Sequence, residues 1–245
     1  MRGAIHDAMR EDAGLASALR APLQGRSRES YDRMMAATEV LLGERGSGDF
    51  TLGEVSRLAR VSIGSIYNRF ENKEALLHAV QLRVLERVNR EMGERIGQAI
   101  ATRASLDQLV ERLIEAIAET LRAHAAPMAA LMRIASDDRQ VAVTGKRFYS
   151  QTVATYTAAL LAYREAMGHP DPARAVDSSF RILYAAIARY LGFGSATDAA
   201  WEGDWTMLKQ DLASMIAAFF RSAPAPKVET QGGVLTGAGD LITRT

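Results

Sequence analysis

Residues 62–73 gather groups suited to recognition rather than to bond-making. The run Ser62-Ile63-Gly64-Ser65-Ile66-Tyr67-Asn68-Arg69-Phe70 sets hydroxyls, a phenol, an amide and a guanidinium close together with no acid among them. In the major groove an Asn68 amide can bond adenine through two atoms, and an Arg69 guanidinium can do the same with guanine. Gly64 and Ser65 are small enough to let a helix N-terminus approach a duplex closely. Helix starts at Thr51, Ser62 and Asn72 would offer free backbone N–H groups, which suit phosphate oxygens. Lys73 stands just inside the third start, where the helix dipole disfavours a cation and a phosphate partner would favour it. The plainer reading of Tyr67, Asn68, Arg69 and Lys73 is packing or solvated surface.

These groups need short helices to hold them. Thr51 followed by Glu54 has capping-box spacing, and Leu52, Val55, Leu58 and Ala59 then fall on one helical face. Val61-Ser62 breaks that helix, and Ser62 caps a second, with Ile66 and Phe70 on its inner side. Asn72 caps a third, with Glu74 in its first turn, where the dipole favours a carboxylate. Two short helices joined by a tight turn, the second opening with small polar residues, read as a helix-turn-helix.

The run Thr51-x3-Val55-x2-Leu58-Ala59-x-Val61-Ser62-x-Gly64-x-Ile66-Tyr67-x-x-Phe70-x-x-Lys73 resembles the DNA-binding domain of the TetR (tetracycline repressor) family. The likeness covers roughly residues 28–88. It implies phosphate contacts from Thr51, Tyr67 and Lys73, and a groove-facing set of Ser62, Ile63, Gly64, Ser65, Asn68 and Arg69. Ile63 stays open between two positions, because periodicity alone would put it near Phe70, in the core. One residue departs from the family pattern: Arg60 stands where the family usually has Gly in the turn. A left-handed conformation there would cost a side chain on the order of 1–2 kcal/mol.

The rest of the chain agrees with an all-α fold. Its 245 residues, 48% hydrophobic, can build a sizeable core, and no unbroken apolar stretch approaches a membrane span. There are no cysteines, which fits a reducing cytoplasm, and the net charge of +1 leaves no polybasic field. DNA affinity must therefore come from local placement of arginine. The four histidines have no metal-ligand spacing, and no cofactor is expected. Residues 1–26 form an arm, read either as partly helical from about Ala8 to Arg20 or as a solvated tail. A first helix from about Ser27 to Leu42 buries Tyr31, Met34, Met35, Thr38, Leu41 and Leu42, with Gly43, Gly46 and Gly48 ending it. A long helix from Asn72 to about Ile96 links this 27–88 domain to the second half of the chain.

Residues 97–222 read as a helical ligand-binding and dimerisation domain, for about nine helices in all, before a disordered tail at 223–245. Ser105 with Gln108 is another capping box. Pro127 opens a short helix, a long one runs from Asp138 or Thr144 to Met167 with Gly145 a candidate kink, and Asp171-Pro172 and Asp204 start the last two. Those two carry Phe180, Leu183, Tyr184, Ile187 and Leu191, then Leu212 to Phe220. The family resemblance makes them a homodimer interface. Met128, Met132, Phe148, Tyr149, Tyr156 and Tyr163, with His124 and Arg147 as polar handles, could line a cavity, although packing explains each alone and these residues do not define a ligand site. The leading function is a DNA-binding transcriptional regulator, a repressor released from a palindromic double-stranded operator by a small hydrophobic or amphipathic ligand. A constitutive or architectural DNA binder is the alternative. A helical-bundle enzyme ranks below both, because no nucleophile–base spacing, phosphate-cradling loop or metal cluster is present.

Overall fold

The computed structural model describes residues 25–193 and 203–222. The expected tail at 223–245, residues 1–24 of the expected arm, and Gly194 lie outside them. Nine helices occur among the described residues: α1 Gly25–Arg45, α2 Leu52–Ala59, α3 Ile63–Tyr67, α4 Lys73–Ala101, α5 Leu106–Ala123, α6 Ala125–Ile134, α7 Arg139–Leu161, α8 Pro172–Tyr190 and α9 Trp205–Arg221. A 3-10 turn covers Arg164–Ala166, and the described residues contain no strand.

The caps read from sequence hold. Thr51 and Glu54 satisfy each other's backbone N–H groups, as do Ser105 and Gln108. Ser62 accepts from the Ser65 N–H, Asn72 from Ala75, and Asp171 from Arg174 with Pro172 just inside the helix. The α1 stripe is core: Met34, Met35, Thr38, Leu41 and Leu42 are buried, and its apolar members join one cluster with Phe50, Val55, Ile66 and Phe70. Fully burying one such large apolar side chain contributes about 1.5–3 kcal/mol.

Boundaries shift where packing overrides local signals. α1 runs through Gly43 and stops at Gly46, whose φ of 63° and N–H bond to the Leu42 carbonyl make a left-handed cap. α4 continues past Gly93 and Gly97 to Ala101, because Met92, Ile96 and Ala99 keep one face buried. Its 29 residues span roughly 43 Å. Pro127 sits inside α6 near its start, and the break falls earlier, at His124. α7 begins after Asp138, which caps the Gln140 and Val141 N–H groups, passes Gly145 unbroken, and ends at Leu161.

Polar ties join α4 to both halves of the chain. Arg83 pairs with Asp32 at 3.1 Å and Arg87 pairs with Glu39, fastening α4 to α1. His78 Nε2 lies 2.7 Å from Asp138 Oδ2, and the Gln81 amide donates to the Val141 carbonyl at 2.8 Å, fastening α4 to α7. Burial alone would raise the Asp138 carboxyl. The bond from His78 and those from the Val141 and Gln140 N–H groups outweigh it and lower it. Further on, Lys209 of α9 bridges Glu115 and Glu119 of α5, and Trp205 Nε1 donates to Glu119.

Most of the apolar residues expected at an interface of the outer helices face inward. Phe180, Leu183, Ile187, Leu212, Ile216 and Phe220 are buried within the chain itself. The large apolar side chains that α8 and α9 leave exposed are Ile182, Met207 and Met215.

Arg60 adopts φ 53°, ψ 50° at the end of α2, so the turn does use a left-handed residue and the chain meets it with a side chain. Arg60→Gly should stabilise the fold by about 1 kcal/mol, the left-handed penalty less the entropy cost of glycine. Thermal unfolding should rise by roughly 2–4 °C. An unchanged or lower midpoint would mean that contacts of the Arg60 side chain offset the strain.

Candidate nucleic-acid interface and helical-domain cavity

α3 is short, and its exposure pattern separates two faces. Ile66 is fully buried and Phe70, just beyond the helix, nearly so, its ring stacked on Tyr31 with centroids 6.0 Å apart. Outward lie Ile63, Gly64, Tyr67 and Asn68, with the Ser62 cap exposed beside them and Ser65 half-buried. Ile63 is 42% exposed and Tyr67 58%, which settles Ile63 on the surface and not beside Phe70. Ser62 Oγ accepts from the Ser65 N–H at 3.1 Å and meets Ser65 Oγ at 2.8 Å, fixing the N-terminal turn. Leu58, expected on the inner face of α2, is 50% exposed. It lies about 100° round the helix from Ala59, past the edge of the buried Val55–Ala59 row.

Arg69 is placed differently from the sequence expectation. α3 ends at Tyr67, Asn68 is its cap, and the chain turns there. Arg69 is consequently not on the helix's outer face. Its Nη2 donates to the Ser27 carbonyl and to Ser27 Oγ, each at 2.6 Å, tying the end of α3 to the start of α1.

The helix starts carry their own partners. The Thr51 N–H donates to Glu54 Oε2 at 2.7 Å, and the Thr51 hydroxyl does so at 3.0 Å. Those two bonds, the backbone one foremost, with Arg45 adding to them, hold the Glu54 carboxyl below its ordinary range. Lys73 Nζ donates to the Gly48 carbonyl at 2.9 Å and lies 5.3 Å from the centre of the Phe50 ring. An ammonium has three donors, so this bond leaves two.

Gly64 stands apart from the glycines that the fold uses. Gly46 has a positive φ, and a Cβ there would meet Arg133 Nη2 at 2.4 Å. At Gly64 φ is not positive, and an added Cβ would have only Ser62 Oγ near it, at 4.0 Å. Among the described residues nothing requires a glycine at that position, and the same holds at Gly93 and Gly97 of α4.

A second feature is only partly legible in the sequence. A cavity of about 390 Å³ lies among α4, α5, α6, α7 and the edge of α8. Met128, Met132, Phe148 and Tyr149 line it, as do Leu85, Val88 and Met92 of α4, which has the sequence of a plain linker helix. Tyr156 does not: it is buried with its hydroxyl 3.0 Å from Ser179 Oγ, and burial pushes its pKa up to about 12. Tyr163 lies outside the lining as well. Of the two polar handles, His124 pairs with Glu91 at 2.7 Å and Arg147 lies over the Phe148 ring. Among the described residues no group of three or more metal-ligating side chains comes together, and no helix is long and apolar enough to cross a membrane.

Residues 34–80 match the family model described as bacterial regulatory proteins, tetR family. No curated protein matches the chain. Solved structures do match in fold. A Mesorhizobium loti protein assigned as a TetR-family transcriptional regulator superposes with a TM-score of 0.61 at 18% identity, over 80% of this chain and 97% of that one. A regulatory protein of the tetR family from Rhodococcus RHA1 gives 0.58 at 18% identity, over 80% and 98%. The fatty acid degradation regulator FadR of Bacillus halodurans gives 0.57 at 16% identity, over 76% and 94%. At such identities the likeness is one of fold.

Proposed function

We propose, from the premise that this chain carries a tetR-family N-terminal domain on the fold of tetR-family regulators, that it is a DNA-binding transcriptional regulator and not an enzyme. In this reading it acts in the cytoplasm as a homodimer on a near-palindromic operator. It represses there until a small apolar or amphipathic ligand enters the helical-domain cavity. Ile63, Tyr67 and Asn68 are the side chains left to meet the duplex from α3: Ile63 suits a thymine methyl and Asn68 an adenine edge. The Thr51 and Ser62 helix starts and the remaining Lys73 donors serve phosphates. Arg69 positions α3 by holding Ser27 and does not read a base.

The observation that carries this reading is the exposed face of α3, where Ile63, Gly64, Tyr67 and Asn68 lie outward together while Ile66 and Phe70 are buried; Gly64 gives it a test. A glycine within a helix costs about 1 kcal/mol relative to alanine. The surrounding chain has room for the methyl group. Open space alone does not mark an interface, since Gly93 and Gly97 of α4 have it too; Gly64 differs in standing at a helix start beside the exposed Ile63, Tyr67 and Asn68, where a closely approaching DNA backbone or base edge fits. Gly64→Ala should raise thermal stability by roughly 0.5–1 kcal/mol while weakening binding to a selected duplex by about tenfold, equivalent to 1.4 kcal/mol. Unfolding curves and anisotropy titrations read the two effects separately. Unchanged DNA affinity would remove the α3 N-terminus from the interface.

The ligand reading is supported by the place of the cavity. Its walls include α4, which begins at Lys73 in the DNA-facing domain, and α7, which is tied to α4 through His78–Asp138 and Gln81–Val141. A ligand that separates these helices would act on α3 through the short link from Tyr67 to Lys73 and through the ties of α4 to α1. It can shift DNA affinity only by its differential affinity for the two arrangements, and about 1–3 kcal/mol of coupling is ordinary.

A further inference from the structure

Resting on that reading of the cavity as the effector site, we infer that the effector is an anionic amphiphile whose apolar body fills the cavity and whose acidic group meets Lys146. The wall is apolar over most of its extent, and no aspartate or glutamate lines it. An organic cation seated there would lose water and find no counter-charge, the costliest kind of burial. Lys146 is the lining residue that carries a charge. It projects from α7 between Ala142 and Tyr149, at the exposed rim. Nearby cations are engaged: Arg83 with Asp32, Arg87 with Glu39, Arg147 with the Phe148 ring. Lys146 has no such partner among the described residues.

Neutral donors share the lining with that cation. Tyr149, one turn on from Lys146 in α7, and Tyr184 line the cavity with their rings edge to face at 4.9 Å, and neither hydroxyl has a hydrogen-bond partner among the described residues. Burial pushes the Tyr184 phenol up to about 12, so it remains a donor at neutral pH. An unpaired ammonium and two unpartnered hydroxyls in one lining match a carboxylate or similar anion, which accepts several such bonds. The polar amides of the lining are already occupied: Gln81 donates to the Val141 carbonyl, and Asn89 to Gln151.

Size narrows the class. A dry apolar cavity of about 150 Å³ holds benzene. At about 390 Å³ this one is more than twice that size, room for a ligand of roughly 15 heavy atoms. A medium-chain carboxylate fits that measure.

Three probes of equal chain length test the inference on the full-length protein, each below its micelle-forming concentration: decanoate, decanol and decylammonium. Calorimetry on the wild type should rank decanoate first and decylammonium last, with about tenfold or more between them. Lys146→Ala should weaken decanoate about tenfold and leave decanol within about twofold, removing the preference. Lys146→Arg should retain it. Decylammonium binding as well as decanoate, no binding by decanoate, or equal loss of decanoate and decanol in Lys146→Ala would each overturn the inference. The regulatory reading fails separately: if decanoate binds with the Lys146 dependence but DNA affinity does not change, the ligand class stands and the release mechanism does not.

Discussion

Ile182→Asp combined with Met215→Asp should yield a monomer that keeps its helical content and loses two to four orders of magnitude in affinity for a two-half-site duplex. Both side chains are more than half exposed, at 53% and 62%, so an aspartate at either position is solvated in the isolated chain and costs its fold little. Pressed against a second copy, the same carboxylates would be stripped of water without a partner, at several kcal/mol each. DNA affinity falls with the dimer because the second half-site is then no longer held at high effective concentration, a gain of about 10²–10⁴ in linked binders. Light scattering and anisotropy titrations measure the two losses. A variant that remains a dimer would move the interface away from α8 and α9. A monomer that binds as tightly as the wild type would remove the paired half-sites.

Phe70→Ala should be the most damaging single change in the DNA-facing domain. The ring is 2% exposed, stacks on Tyr31 of α1, and comes just after the five-residue α3. So short a helix cannot stand alone, and tertiary packing must hold it. Truncating a buried phenylalanine costs about 3–5 kcal/mol, a large part of the roughly 5–15 kcal/mol that keeps a domain folded. The unfolding midpoint should fall by roughly 6–20 °C, with DNA binding lost at temperatures where the wild type still binds. Phe70→Leu, which retains most of the volume, should lose less than half as much. A midpoint within about 1 °C of wild type for Phe70→Ala would show that Phe70 does not anchor α3.

Features decided by local hydrogen bonds are legible in the sequence. Thr51 with Glu54, Ser105 with Gln108, and Asp171-Pro172 each satisfy helix N-termini within a few residues, so their types and spacing suffice. Faces are harder. Leu58 differs from Ala59 by one residue, and in an eight-residue helix that step separates solvent from core. Carrying the α3 periodicity past its end puts Arg69 on the outer face; the contact that places it reaches Ser27, 42 residues away in sequence, which no local pattern reveals. The same limit applies to α8 and α9. Their apolar residues are visible in the sequence, but whether Phe180 and Phe220 face inward or a second copy depends on how α5 and α7 pack against them. The cavity is least legible, because Leu85, Val88 and Met92 have the spacing of ordinary core and only the gap between helices distinguishes them.

Paired recognition of a defined operator through the α2–α3 surface is tested most directly by selecting bound duplexes from a random pool with the full-length protein. The enriched sequences should contain two inverted half-sites whose centres are about one helical turn, or a multiple of it, apart. Adenine–thymine pairs should recur where Asn68 and Ile63 meet the groove. Enrichment of a single unpaired site, or no enrichment over the starting pool, would contradict it.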